Sequence, residues 1–281
     1  MRILQGIKIK AMVDNKSLKM ILLLFLNIPL FLLVWYFLRI AVFDYYTIPS
    51  ESMYPTLAPG DKVVVNKLLM GGRIYKNFHF NKRGQELQSW RIRGLRSIEH
   101  NDICVFNYPV HFDEISFVIN HLLCKRCIAL PGDSLRIIDG RYVSNQSNVK
   151  LNVKRIIDSD SLSTTIKTIG DELGWTTLHF GPMYIPRQGD EINITPREAI
   201  LYNQILQWEL DKTIAWDTIS GVVTADNVPL TKHVWKHNYY FMAGDNIDHS
   251  SDSRYWGLVP EEYVVGIVKL IIHKGRLIFV E

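Results

Sequence analysis

The sequence contains few cysteines and no marked excess of charge of either sign. Its three cysteines are too few for a framework of disulfide bonds, although 281 residues are enough to bury a sizeable hydrophobic core. The net charge of +4 is too small and too scattered to indicate a nucleic acid as the partner. The chain also lacks an internal repeat and a GxSxG motif, so a histidine-based catalytic triad has little support.

Two of the cysteines, Cys124 and Cys127, form a CxxC motif inside an apolar stretch. In an exported domain such a motif could serve as a redox pair or bind a metal ion. However, residues i and i+3 of a strand point to opposite faces, so the two sulfur atoms should diverge. We therefore interpret both thiols as small apolar groups that pack in the core, and we expect no metal site.

Long uncharged runs are also scarce, and the chain has one at Met20–Leu38. A helix of this length would span roughly 28 Å, about the thickness of the hydrocarbon core of a bilayer. No small-x-small cleavage pattern follows it, so we interpret the run as an uncleaved anchor rather than a secretory signal or a buried core helix. Basic residues are concentrated before the run, so the positive-inside rule predicts a cytoplasmic segment at 1–19 and an exported domain from about Asp44 onward.

The rest of the sequence is typical of a β-rich protein. Turn signals separate short apolar or alternating runs, which predict strands at 61–69, 101–109, 115–130, 134–144, 238–245 and 261–273. One helix is expected at Pro196–Leu210, where a proline stands at a suitable first position. We interpret Gly71–His100 as a solvated loop or as a basic loop attracted to anionic lipid.

Two segments carry residues suited to nucleophilic catalysis. The loop after the predicted anchor contains Ser50 and Ser52, and residues i and i+2 of an extended chain share a face. One hydroxyl could attack a carbonyl group while the other donates a hydrogen bond to the oxyanion; the alternative is a simple turn rich in serine and proline. Lys125 lies in an apolar strand, where desolvation lowers the pKa of a lysine and makes the neutral amine available as a base. Its alternatives are a lysine that extends to the surface or pairs with a carboxylate.

A third segment, 242–266, is polar although apolar strands flank it. Gly244, Asp245 and Asn246 suit a sharp turn, and Asp252 and Arg254 are spaced to form a charge-assisted pair. The alternative is an ordinary polar loop between two strands of a hairpin.

Together these segments resemble those of the bacterial type I signal peptidases, which are serine–lysine proteases. Four segments carry the resemblance, in the family's order and downstream of the predicted anchor: Ile48–Asp61, Asp102–Pro109, Lys125–Asp133 and Gly244–Pro260. It implies a membrane-bound serine endopeptidase of the bacterial inner membrane that removes signal peptides from exported preproteins. It further implies cleavage after small residues at positions −1 and −3, preproteins and the lipid bilayer as partners, and no cofactor.

The resemblance also implies roles for individual residues. Ser52 matches the nucleophile and Lys125 the general base, while the Ser50 side chain and the Ser52 backbone N–H match the donors to the oxyanion. Ser250 matches the serine that orients the lysine. The polar network that braces the site is matched by Asp245, Asp252, Arg254 and Arg126.

This chain departs from the family's usual pattern at three positions near the site. Ile247 stands where members often carry arginine, so it cannot make the ion pair that an arginine would make. His249 stands where asparagine is frequent, and Glu51 replaces a small residue between the two serines. No core catalytic group is lost.

The expected fold is mainly β: a single N-terminal transmembrane helix at 20–38, then an antiparallel β-sheet catalytic domain. We predict that 44–144 and 238–281 form this catalytic core and that 145–237 is an inserted, β-rich subdomain. Three other functions were weighed. One is a non-enzymatic tethered β domain that binds exported peptides. Another is a self-cleaving serine–lysine repressor, which would carry a DNA-binding domain instead of an anchor. The third is a penicillin-binding type of site at the SxxK motif of Ser147–Lys150.

Overall fold

The computed structural model describes residues 15–75, 89–111, 113–117, 121–145 and 167–280. The α-helices in these ranges are α1 (Asn15–Ala41), α2 (Pro196–Leu210) and α3 (Ser253–Trp256). Short 3-10 turns lie at Asp171–Leu173, Ile247–His249 and Glu261–Tyr263. The SxxK motif at 147–150 and most of the predicted cytoplasmic segment lie outside the described residues.

Twenty short strands follow α1 in the described ranges. In chain order they are β1 (Phe43–Thr47), β2 (Lys62–Asn66), β3 (Arg73–Tyr75), β4 (Ser89–Arg91), β5 (Ile103–Asn107), β6 (Val110–His111), β7 (Glu114–Ile115), β8 (Leu122–Ala129), β9 (Ser134–Ile138), β10 (Arg141–Ser144), β11 (Phe180–Tyr184), β12 (Glu191–Asn193), β13 (Ile214–Trp216), β14 (Val223–Ala225), β15 (Val228–Pro229), β16 (Lys232–Val234), β17 (Tyr239–Ala243), β18 (Val259–Pro260), β19 (Val264–His273) and β20 (Arg276–Phe279).

Eight of these strands form one antiparallel sheet in the order β1-β2-β19-β5-β8-β17-β18, with β20 paired to the end of β19. The expected antiparallel, mainly β fold is therefore confirmed. The sheet brings together strands from both ends of the chain that follows α1, because β19 lies between β2 and β5. This pairing places the loop after β1 near the middle of β8 and the end of β17.

The centre of the large sheet is buried on both faces. Along β5, Cys104 and Phe106 contribute to one hydrophobic cluster, whereas Ile103 and Val105 contribute to another. This alternation follows from the two-residue repeat of a strand, and a strand buried on both sides has a continuous apolar sequence. Such a strand beside β8 explains how a charged residue on β8 can be removed from water.

Helix α2 occupies the range predicted from its sequence, Pro196–Leu210. Its start is well specified, since Pro196 occupies the first turn and the backbone N–H of Thr195 donates to Glu198 Oε2 at 3.3 Å. Its apolar face, including Tyr202 and Leu206, joins the same cluster as the large sheet. The described part of 145–237 thus shares a core with the sheet, and the proposed division into two domains stays a prediction.

The small sheets contain most of the remaining strands. β11 adds to the hairpin of β9 and β10, β12 pairs with β16, and β13, β14 and β15 form a separate three-stranded sheet. In the stretch 71–100, which the sequence predicted to be a loop, the described strands β3 and β4 pair with each other, so the prediction is wrong for these residues. Arg91 of this ribbon donates to the Val264 carbonyl, so one of its basic side chains is used to contact β19.

The predicted anchor at 20–38 lies within α1. Its apolar side chains with described positions are largely exposed, among them Phe25, Phe31 and Phe37. Among the residues that the structure describes, no helix meets the length and apolarity criteria of a membrane span. The anchor therefore stays a prediction.

Candidate active site

The loop between β1 and β2, here called the serine loop (Ile48–Asp61), carries both serines and is held together at its two ends. Its two ends are joined by hydrogen bonds from the Ile48 N–H to the Asp61 carbonyl and from the Gly60 N–H to the Ile48 carbonyl, both 2.8 Å long. Met53 and Leu57 are 1% and 0% exposed, so their side chains anchor the middle of the loop in the core. Burial of such side chains stabilises the loop by roughly 1.5–3 kcal/mol each.

The structure brings Ser52 and Lys125 into direct contact. Lys125, from β8, donates from Nζ to the Ser52 Oγ at 2.5 Å, although 73 residues separate the two in the chain. The lysine side chain is not extended to the surface, since Lys125 is only 3% exposed. Nor does a carboxylate of the described residues pair with it, because Asp245 is bound by Arg126 and Asp252 by Arg254.

Burial lowers the pKa of the Lys125 ammonium below its usual value. The charge of Arg254 acts in the same direction, whereas Asp252 and Asp245 raise the pKa. The net shift is downward because desolvation is the largest effect. A neutral amine in contact with a hydroxyl can accept its proton, which is the chemistry expected of a general base.

The two serines of the loop lie side by side. Ser50 Oγ and Ser52 Oγ are 3.3 Å apart, which places a second hydroxyl next to the hydroxyl that contacts the lysine. The backbone N–H of Ser52 has no hydrogen-bond acceptor among the described residues. The Ser50 hydroxyl and the Ser52 N–H are therefore available to donate to an oxygen atom near Ser52.

Asp245 and Arg126 form the first of two buried ion pairs around the contact. Arg126 Nε donates to Asp245 Oδ1 at 2.7 Å and Nη2 donates to Oδ2 at 2.6 Å, a bidentate geometry that also fixes orientation. Arg126 Nη1 donates to the Asn101 carbonyl at 2.8 Å. Thr56, from the serine loop, donates through its hydroxyl to Asp245, so this pair also holds the loop.

Asp252 and Arg254 form the second pair, as their spacing predicted. Arg254 Nε donates to Asp252 Oδ1 at 2.8 Å and Nη2 to Oδ2 at 2.9 Å, with both residues 0% exposed. The carboxylate also accepts from the Gly244 N–H at 3.2 Å. Arg254 Nη2 donates to the Ile247 carbonyl at 2.7 Å. The backbone of Ile247, which stands where the family often has arginine, therefore still contacts a charged side chain.

Ser250 lies beside this assembly but has no hydrogen bond to Lys125. Its Oγ is buried and has no partner within the described ranges. A Cβ at Gly244 would lie 2.2 Å from Ser250 Oγ and 2.3 Å from the Ser52 carbonyl oxygen. Glycine at 244 therefore lets the serine loop, Ser250 and the end of β17 approach one another closely.

Two polar residues at the site were not assigned a role from the sequence. Thr56 contacts Asp245, and Asn246 donates from its backbone N–H to the Ser52 carbonyl at 3.1 Å and from Nδ2 to the Glu51 carbonyl at 3.2 Å. The only sequence signal for Asn246 is its position after Gly244 and Asp245 in a motif already singled out as a turn. The signal for Thr56 is its place in the serine loop.

The cysteines pack as the strand periodicity predicted. Cys127 contributes to the cluster on one face of the sheet and Cys124 packs against the cluster on the other face. Burial raises the pKa of both thiols, to about 12 for Cys124, which keeps them protonated. In the described ranges, no group of three or more histidine, cysteine, aspartate or glutamate side chains is arranged to hold a metal ion.

Comparisons with known proteins point to one family. A family model described as signal peptidase, peptidase S26, matches residues 19–273. Similar curated proteins include the "Signal peptidase I" of Buchnera aphidicola subsp. Baizongia pistaciae, 29% identical over 85% of this chain and 73% of the relative. The protein of that name from Aquifex aeolicus is 28% identical over 88% of this chain and 82% of the relative, and that from Pseudomonas aeruginosa is 26% identical over 82% and 64%.

The buried pair of Arg254 and Asp252 should be important for stability. We expect Arg254→Ala to lower the free energy of unfolding by about 3–5 kcal/mol, because it leaves a buried carboxylate without its partner. Thermal or denaturant unfolding measures the change. Arg187→Ala is the matched control, since the exposed ion pair of Arg187 with Asp190 should contribute nothing measurable. Equal unfolding midpoints for the two variants would contradict the assigned importance of the buried pair.

Proposed function

The chain belongs to the signal peptidase family, peptidase S26, and is a serine endopeptidase; on this premise we propose that it cleaves signal peptides with Ser52 as nucleophile and Lys125 as general base. The observation that carries the proposal is the 2.5 Å contact between Lys125 Nζ and Ser52 Oγ. It is supported by the near-complete burial of Lys125, which lowers the pKa of the amine.

Acylation follows from this geometry. Neutral Lys125 accepts the Ser52 proton as Oγ attacks the scissile carbonyl, and the electron pair of the C=O bond moves onto its oxygen. The Ser50 hydroxyl and the Ser52 N–H donate to this oxyanion, and each such donor is worth about 2.7–4 kcal/mol in a serine protease. The Lys125 ammonium then protonates the leaving amine, and the peptide bond breaks.

Deacylation uses the same groups in a second cycle. Neutral Lys125 takes a proton from water, which attacks the acyl-Ser52 ester. The second tetrahedral intermediate collapses, Ser52 leaves with the proton from the lysine, and the signal peptide departs with a free carboxylate. The carboxylates of Asp245 and Asp252 are engaged by Arg126 and Arg254, which supports a dyad in which the lysine alone moves the proton.

We further propose that the enzyme cuts after small residues at positions −1 and −3 and that α1 tethers it to the bacterial inner membrane. Cleavage after small residues is argued from family membership and from relatives named "Signal peptidase I". The tether is supported by the absence of charge across 20–38 and by the outward-facing apolar side chains of α1. In the proposed topology the catalytic sheet lies on the outer side of that membrane.

Ser52→Ala and Lys125→Ala should each reduce cleavage of a preprotein carrying an A-x-A site at least about 10⁴-fold, because each removes a group that moves the proton or forms the ester. Gel analysis of the products and N-terminal sequencing of the mature chain measure both rate and site. Ser220→Ala and Lys232→Ala are matched controls with exposed hydrogen bonds elsewhere in the chain. Normal cleavage by either site variant would refute the assignment of Ser52 as nucleophile and Lys125 as general base.

The rate of cleavage should depend on pH through Lys125. Below the pKa of Lys125 the amine is charged and cannot accept a proton, so kcat/KM should rise with pH and level off once the amine is neutral. Since burial lowers this pKa, the midpoint should lie below that of a free lysine side chain. A profile measured with a single peptide substrate tests this, and a rate that stays flat from about pH 6 to 10 is incompatible with a lysine base.

The tether predicts that alkaline carbonate leaves the full chain in the membrane pellet. Leu24→Arg combined with Phe31→Arg should shift the protein to the supernatant, because a central arginine costs about 2.5–3.5 kcal/mol on insertion scales. Ile219→Arg with Val228→Arg is the matched control, since both side chains are exposed outside α1. Extraction of the unaltered chain by carbonate would refute the tether.

A further inference from the structure

We propose that Asn246 is a positioning residue for the oxyanion: its side-chain amide holds the Glu51 carbonyl so that the Ser52 N–H faces the reacting oxygen. The inference rests on the proposed role of Ser52 as nucleophile. Asn246 makes no hydrogen bond to the Ser52 hydroxyl or to Lys125. Asn246 acts instead on the backbone on both sides of the Ser52 α-carbon.

Asn246 makes two contacts with consecutive peptide units. Its Nδ2 donates to the Glu51 carbonyl at 3.2 Å, and its backbone N–H donates to the Ser52 carbonyl at 3.1 Å. The residue is 8% exposed, so these bonds lie where water competes poorly for the same carbonyls. The two bonds clamp the backbone immediately before and after the Ser52 side chain.

Because of the geometry of the peptide bond, the first contact also fixes the direction of the Ser52 N–H, the proposed donor to the oxyanion. The Glu51 carbonyl and the Ser52 N–H belong to one planar peptide unit, and this unit is trans. In a trans peptide the C=O and the N–H point in opposite directions. A carbonyl held toward Asn246 therefore directs the N–H of Ser52 away from Asn246, and that N–H has no acceptor among the described residues.

The clamp itself is well anchored. The Asn246 carbonyl accepts from the His249 N–H at 3.1 Å, which closes the turn at the end of β17. Neighbouring Asp245 is fixed by Arg126 at 2.6 and 2.7 Å. Gly244 allows the approach, because a Cβ there would lie 2.3 Å from the Ser52 carbonyl oxygen.

The amide of Asn246 is not the sole restraint on this peptide unit. The Tyr54 N–H also donates to the Glu51 carbonyl, at 2.9 Å, as part of the turn that contains Ser52. Loss of the Asn246 side chain should therefore loosen the donor without removing it. Because complete removal of one donor costs about 10²–10³ in kcat, we expect a loss of about 10–100-fold here.

The experiment compares two inhibitors of the same peptide sequence ending in A-x-A, one a C-terminal aldehyde and one the corresponding alcohol. With the aldehyde, Ser52 Oγ bonds to the carbonyl carbon, the C=O electron pair becomes an alkoxide, and the serine proton passes to Lys125. The alcohol lacks this C-terminal electrophilic carbonyl and forms no such adduct. A group that serves the oxyanion should thus matter for the aldehyde alone.

Asn246→Ala should weaken inhibition by the aldehyde about 10–100-fold, in step with kcat. Inhibition by the alcohol and KM should stay within about twofold of the parent enzyme. The midpoint of the pH profile should not move. Asn246→Leu, which keeps about the same size but carries no donor and no charge, should behave like the alanine variant. Both variants retain the backbone N–H that holds the Ser52 carbonyl.

Asn238→Ala is the matched control, because Asn238 makes two side-chain hydrogen bonds of similar length away from the site. It should leave the ratio of aldehyde to alcohol inhibition unchanged. Equal weakening of both inhibitors by Asn246→Ala, or weakening of neither, overturns the positioning role. Ser52→Ala separates the two proposals: if the preference for the aldehyde survives in that variant, the nucleophile has been misassigned.

Discussion

The structure of the candidate site depends on one contact, between the buried amine of Lys125 and the half-buried hydroxyl of Ser52. Removing an ammonium from water costs several kcal/mol, so a buried lysine tends to lose its proton instead. β8 supplies the burial because it lies between β5 and β17 in the large sheet. The loop of Ile48–Asp61 covers the amine and, through buried Met53 and Leu57, brings Ser52 against it.

The two buried ion pairs are a consequence of this requirement. A carboxylate free to pair with Lys125 would stabilise the ammonium and raise the pKa of the lysine. Asp245 and Asp252 are close enough to raise it somewhat, yet each is bound at both oxygens by an arginine. Desolvation therefore remains the larger effect on Lys125. The arginines brace the loops. By binding both carboxylates, they also keep these groups from stabilising the Lys125 ammonium.

Much of this arrangement could be predicted from the sequence, because it depends on local patterns. Short apolar or alternating runs predicted the main strands, and a proline at the first position, followed by apolar residues at helical spacing, predicted α2 to the residue. The contacts of Thr56 and Asn246 could not be predicted in this way. They join residues 189 and 195 positions apart, and nothing in either segment indicates which carbonyl or carboxylate the other will present. The Ser250 hydroxyl, which has no hydrogen-bond partner among the described residues, is a similar case, since the family resemblance implied a lysine partner that the packing does not provide.

The departure at Ile247 shows why such a site tolerates substitution at some positions. An arginine there could form an ion pair only through its side chain, whereas Arg254 contacts this residue through the Ile247 carbonyl, which every residue carries. The isoleucine side chain is 7% exposed and joins the main hydrophobic cluster, so the position contributes packing instead of charge. Bracing through backbone carbonyls thus separates the geometry of the loop from the identity of its side chains. The same reasoning applies at Ser52, whose flanking carbonyls are held by Asn246 whatever residue stands at position 51.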